Sequence, residues 1–461
     1  MIDIFIVTSY LLILLLTGIY YSKVDNTKFK SFAKFTSNTN TSKLIIIATI
    51  FASSIGGGTT FGISEKAFLG NIAYSYGLFF AIPIDLLIAA YIIPRIIKHY
   101  SAESVGDIMS VYYGSAGRYI AGFAAIVVSV GLVAAQISVS GRIFEYILQI
   151  DYVKGVVLSY GIVIIYTTIG GFRSVLFTNQ LQFFAIIIAI PVVTIFGIHQ
   201  IGIDNFINSV PKEKFSFYNN DDLVTTTIAA TLAFMVMNLF PPFIQRVLIN
   251  KNAKETSKAI YIKSVIYAIF LVFITINGLI AYILFPEQKS SLALPILIDS
   301  IIPTGIQGFV VVGFLAAVMS TADSDLNVTS VTLVKDFLDP IFKIKDQQKM
   351  LKIARISNIL IGSFAIIIAL KFTVVVDLVI FISGFWAPII IVPLVFALFD
   401  ITIARRMMII SCLSGAISFV IWEQFYANEL SFKGVFVGTM VNLVVFLIGK
   451  IILYSSKSIR D

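Results

Sequence analysis

Apolar runs of roughly 20 residues, the length an α-helix needs to cross the hydrocarbon core of a bilayer, recur along the whole chain. The connectors between them are short, and none is long or polar enough to be a separate soluble domain. Composition agrees: 58% of the 461 residues are hydrophobic and 13% are charged, where a soluble domain carries about a quarter charged residues. The fold class that follows is an all-α polytopic membrane protein, and a soluble enzyme is excluded. The first run, Ile2 to Ser22, has no Lys or Arg ahead of its apolar part and is too long for a signal peptide, so it reads as a retained first span. A single cysteine, Cys412, cannot make an intrachain disulfide, and with only His99 and His199 in addition there is no cluster for a transition metal.

The runs predict spans near 2–22, 44–64, 74–97, 119–147, 155–171, 180–202, 223–245, 262–285, 305–337, 353–370, 373–398, 404–422 and 434–453, thirteen in all. An odd number puts the termini on opposite sides, so connectors alternate and the positive-inside rule tests the count. Of the 33 basic residues, 25 fall to one set of connectors and 8 to the other. A span missed in mid-chain would scramble that division. The expected arrangement is a multi-pass protein of the cell (inner) membrane, N-terminus outside and C-terminus cytoplasmic. The net charge of +8 then belongs to basic connectors beside anionic lipid headgroups. It calls for no nucleic acid, and no obligatory protein partner is evident.

Two spans carry unusual residues. The second reads LIIIATIFASSIGGGTTFGIS, with Ser53, Ser54, Gly56, Gly57, Gly58, Thr59 and Thr60 at its middle. Gly costs about 1 kcal/mol per residue against Ala in a helix, and unwound backbone at membrane depth is tolerated only where it is buried in protein or lines a cavity. A break here frees carbonyls to face a cation; alternatively, the small residues only let a neighbouring helix approach. The ninth span holds Ser320, Thr321, Asp323, Ser324, Asp325 and Asn327 in an otherwise apolar helix. Ionisable residues inside a span mark a solute or ion path. The alternative is that Thr321 bonds back to the carbonyl of Ala317 and that the aspartates sit near the cytoplasmic interface. The span midpoints fall near Ser54 and Thr321, so both clusters reach the bilayer centre. Carbonyls of an unwound turn and two adjacent hydroxyls on a facing helix offer the several uncharged oxygens that a hard monovalent cation wants.

At these residues the chain resembles the sodium/solute symporter family, whose members carry proline, pantothenate, sialic acids, sugars and other small solutes. The resemblance covers most of the chain. The second span is similar to the family's AxxxGGGTxxG helix, and Tyr166 to Gln180 to its YxxxGGxxAVxxTDxxQ segment. Phe243 to Leu248 and Ala317 to Ser324 resemble its QR and MSTADS segments. The resemblance implies an inverted five-plus-five helix repeat of the leucine-transporter type with a broken first core helix. The first repeat would be 44–202 and the second 223–398, with 2–22 as an extra N-terminal helix and 404–453 as two C-terminal helices of one domain, 1–461. It also implies a sodium site made by the carbonyls of Ala52, Ile55 and Ala317 and the hydroxyls of Ser320 and Thr321. The solute would lie near Ser54, Gly57 and Thr59, with Gln136 and Asn238 as polar contacts. One departure matters: the family's TD reads Thr178-Asn179 here. Some members use that acid in a second sodium site, so such a site would need Asp323 to replace the charge.

The expectation is therefore sodium-coupled symport of a small organic solute by alternating access, sodium itself being carried. The resemblance favours an amino acid such as proline, or another small carboxylate. A membrane solute receptor without transport is the rival reading, and it would need an output domain that the 461 residues do not contain. A membrane-embedded enzyme would need a nucleophile with a base or a metal set, and Asp85, Asp323 and Asp325 have no His or Cys beside them.

Overall fold

At 1.5 Å per residue the 50-residue helical run Tyr152–Ile201 would be about 75 Å long if straight, more than twice the hydrocarbon thickness of about 30 Å. Gly171, at φ 64 and ψ −159, interrupts it, a backbone conformation open essentially to Gly alone. The Ser174 hydroxyl donates to the Tyr166 carbonyl at 3.3 Å, a pair that a straight helix holds about 12 Å apart. The chain therefore turns back at Gly171. Arg355 donates to the carbonyls of Thr168 and Ile169 at 3.2 and 3.3 Å, capping the helix end that the turn creates. Gly114, at φ 63 and ψ −150, makes a similar turn within Val105–Tyr146. There Arg118 Nη1 reaches back to Asp107 Oδ1 at 2.7 Å.

The computed structural model describes residues 2–24, 32, 36, 41–210, 212–217, 221–235, 239–371, 379, 381–426 and 434–458. In chain order the helices are α1 (Ile2–Val24), α2 (Lys43–Ser54), α3 (Gly58–Phe68), α4 (Ala73–Ile97), α5 (Val105–Tyr146), α6 (Tyr152–Ile201), α7 (Ile203–Ser209) and α8 (Asp221–Met235). They continue as α9 (Pro241–Val247), α10 (Ala253–Leu284), α11 (Ala293–Ile301), α12 (Ile306–Phe342), α13 (Gln347–Ala369), α14 (Phe381–Leu398), α15 (Arg405–Phe425) and α16 (Gly434–Ser458). No strand occurs among the described residues.

Among those residues ten helices are long and apolar enough to cross a membrane, eleven when the bent pair α2 and α3 is taken as one span. Thirteen is reached only by dividing α6 at Gly171 and adding α8 with α9. That count stands as our proposal. Each expected repeat opens on an interrupted helix: α2 gives way to α3 with a bend of 53°, and Phe240, extended at φ −64 and ψ 155, separates α8 from the Pro-Pro start of α9.

Apolar side chains such as Phe5, Ile188, Ile195, Phe309 and Leu360 are exposed, as lipid-facing surfaces require, while polar ones are drawn inward. The polar stretch Ser320 to Asn327 is buried throughout on α12, which packs against α1, α2, α5, α6 and α13. Although α1 lies outside the expected repeats, Asp3 Oδ1 accepts from the amides of Gly305 and Gly308 at 2.8 and 2.6 Å. The N-terminus of α12 thus takes its cap from a residue 302 positions away.

Candidate functional site

The apolar run of α2 ends at Ser54, where Ile55 leaves helical geometry at φ −101 and ψ 76. The last carbonyls of α2 are freed there and carry the negative end of the helix dipole. Ser320 Oγ donates to the carbonyls of Ala52 and Ala317 at 2.8 and 3.0 Å. Thr321 Oγ1 reaches the carbonyls of Ser53 and Ala317 at 3.3 and 3.2 Å. Ala52, Ala317, Ser320 and Thr321 therefore come together, joined by Ser53, which was not expected from the sequence. Ile55, fully buried, forms the break itself. The back-bond that a purely helical Thr321 would make is present, and so is the bond across to α2.

The glycines act here through the side chain they lack, since none of Gly56, Gly57 and Gly58 has a positive φ. A Cβ on Gly56 would lie 2.8 Å from Thr321 Oγ1 and 2.9 Å from Gln136 Oε1. The Gly57 amide donates to Gln136 Oε1 at 2.6 Å, so Gly57 fixes Gln136 and does not itself line the cavity beside the break.

That cavity measures about 180 Å³. Ser53, Ser54, Thr59, Gln136 and Thr321 line one part of it, and Leu78, Phe234, Phe240 and Phe243 give it apolar walls. Ser54, Thr59 and Gln136 were expected there; Asn238 lies outside the described residues. Asp85, Lys263, Asp325 and the phenol of Tyr267 also line it. Asp85 and Lys263 form an ion pair at 2.9 Å with side chains only 4% and 3% exposed. Each is the single charged residue of its apolar run, 73–94 and 259–286. That isolation was the signal available for them.

Asn179 and Asp323 lie in a network that already contains a cation. Arg246, fully buried on α9, donates to Thr49 Oγ1 and to the Pro242 carbonyl, both at 3.0 Å, and its Nη2 meets Ser324 Oγ. With its amide turned to suit these donors, Asn179 accepts from Arg246 Nη2 at 3.2 Å and from Thr49 Oγ1 at 2.9 Å, and donates to Gln182 Oε1 at 2.9 Å. Asp323 accepts from the Tyr166 hydroxyl at 2.6 Å and from Ser324 Oγ at 3.0 Å. Arg246 and Lys263, counted among the connector charges in the sequence, are in fact inside the bundle.

A broken helix whose free carbonyls meet two hydroxyls of a buried helix, beside a cavity with polar and charged walls, defines a secondary transporter. The chain belongs to the Sodium:solute symporter family, whose model matches residues 35–422. Sodium-coupled symport of a small solute is the function that follows. The sodium/sialic acid symporter SiaT of Proteus mirabilis is 23% identical over 78% of this chain and 76% of its own. The sodium/pantothenate symporter of Escherichia coli is 21% identical over 84% and 85%, and the high-affinity proline transporter PutP of Bacillus subtilis 26% over 60% and 62%. A sodium-coupled sialic acid symporter, solved in a substrate-bound outward-open state, matches 98% of both chains with a TM-score of 0.84 at 20% identity. MhsT in complex with L-phenylalanine matches 89% of this chain and 99% of its own with a TM-score of 0.58 at 15% identity. The inverted-repeat architecture expected from the sequence is the one this chain has.

Proposed function

We propose that the protein carries one sodium ion with one small organic solute by alternating access, N-terminus outside and C-terminus cytoplasmic. The sodium ligands in this reading are the carbonyls of Ala52, Ile55 and Ala317 and the hydroxyls of Ser320 and Thr321. The observation that carries it is the meeting of the two α12 hydroxyls with α2 carbonyls at the break. An ion taking those hydroxyl lone pairs turns their protons away from Ala52 and Ser53, and replaces two hydrogen bonds as the tie between α2 and α12. The solute binds in the adjoining cavity, against Ser54, Thr59 and the Gln136 that Gly57 fixes. Each ligand then strengthens the other by the same factor, which is the coupling.

Three relatives named for sialic acid, pantothenate and proline support a small organic solute, an amino acid such as proline or another small carboxylate. The single ion is supported by Arg246. A second sodium about 4 Å from that guanidinium, against Asn179 and Ser324, would meet a repulsion of about 4 kcal/mol at an effective dielectric constant of 20. Asp323 is engaged by Tyr166 and Ser324.

The test is a sodium titration of the purified protein at constant ionic strength, read as thermal stabilisation. Ser320→Ala and Thr321→Ala are each expected to weaken sodium binding about tenfold, or about 1.4 kcal/mol, the size of a hydrogen bond to a charged group. The wild-type curve is expected to be hyperbolic. If both variants titrate like the wild type, the ion binds elsewhere, and a Hill coefficient near two would reveal a second site.

A further inference from the structure

We propose that Asp85 is the counter-charge for an ammonium group on the solute, so that the cavity takes a zwitterionic amino acid and not a carboxylate that lacks an amine. The inference rests on the cavity beside the break being the solute site. An ion pair withdrawn from water adds stability only where its remaining lone pairs are also bonded. Asp85 does not meet that condition. Its Oδ2 takes Lys263 Nζ at 2.9 Å and Ser264 Oγ at 3.4 Å, while its Oδ1 is buried without any partner. Apolar residues of similar volume would hold α4 to α10 at least as well. A carboxylate left half-bonded in the lining of a solute cavity is instead suited to a donor that arrives with the solute. Lys263 acts as the positioning residue. It stands over the Tyr267 ring, 5.1 Å from its centroid, and holds one carboxylate oxygen so that the other is left over.

Asp85 Oδ1 asks the solute for an N–H on a positively charged nitrogen. A free amino acid supplies one. Pantothenate and sialic acids, anions without an ammonium group, do not.

The experiment is a thermal-shift screen of the full-length protein in detergent, with sodium chloride or potassium chloride at equal ionic strength. The probes are the twenty proteinogenic amino acids, the N-acetyl derivative of each that binds, pantothenate and N-acetylneuraminic acid. At least one amino acid should stabilise the protein in sodium, and its N-acetyl derivative should bind about tenfold more weakly or less, the loss of one charge-assisted hydrogen bond. The double variant Asp85→Asn, Lys263→Gln removes both charges together and leaves neither buried alone. It should lose about tenfold or more in affinity for that amino acid and keep its stabilisation by sodium alone. Stabilisation by pantothenate or N-acetylneuraminic acid, none by any amino acid, or undiminished affinity in the double variant would overturn the assignment. A wild-type protein that sodium does not stabilise would sink the symport reading itself.

Discussion

A single methyl group at residue 56 tests the proposed sodium site. Gly56→Ala places a carbon 2.8 Å from Thr321 Oγ1 and 2.9 Å from Gln136 Oε1, so both side chains must shift from the positions they hold at the break. Sodium affinity is expected to fall about tenfold or more, the equivalent of losing at least one ligand oxygen. At Gly58 the added carbon would meet only Val379 Cγ2 at 3.6 Å, and Gly58→Ala should titrate with sodium as the wild type does. Equal behaviour of the two variants would show that close packing at residue 56 does not matter to the ion. Ser320 and Thr321 could be read from the sequence because hydroxyls in the middle of an apolar helix need a reason to be there. Lys263 was marked only by standing alone in its apolar run, and Arg246 not at all. A basic residue near the end of an apolar run looks like a connector charge, and α10, at 32 residues, is longer than the membrane is thick, so its sequence does not say where the bilayer begins.

The helices themselves were legible where the chain needs a special backbone. Gly170-Gly171 marked the boundary between the fifth and sixth expected spans, and the turn occurs at Gly171. The short helical stretch before Gly114 was not foreseen, because its few turns of mixed polarity look like any connector. Gly114 offers a clean measurement of what such a turn costs. It has a positive φ, and a Cβ there would meet nothing within 4 Å, so Gly114→Ala changes backbone strain and little else. It should destabilise the protein by about 1–3 kcal/mol, seen as a lower melting temperature with an unchanged sodium midpoint. A variant as stable as the wild type would mean that the turn accommodates a side chain.

At the scale of the whole molecule, the division of basic residues into 25 and 8, still lopsided without the buried Arg246 and Lys263, predicts which surfaces face which side. Cys412 is 2% exposed, so engineered cysteines can be read against a quiet background. Lys212→Cys should react with a membrane-impermeant maleimide in intact cells, and Lys349→Cys only after the cells are opened. The reverse pattern would invert the proposed orientation. The number of crossings is less plain from helix length alone than their general positions, since α6 is one 50-residue run unless it is divided at Gly171. The cap that Asp3 provides for α12 also has a consequence in time. At about 5–20 residues per second, the amides that complete it are synthesised some 15–60 s after Asp3 itself. The helix α1 therefore waits, its carboxylate without those partners, until some 300 further residues have followed it, and a chain halted before Gly305 can insert α1 but cannot finish seating it.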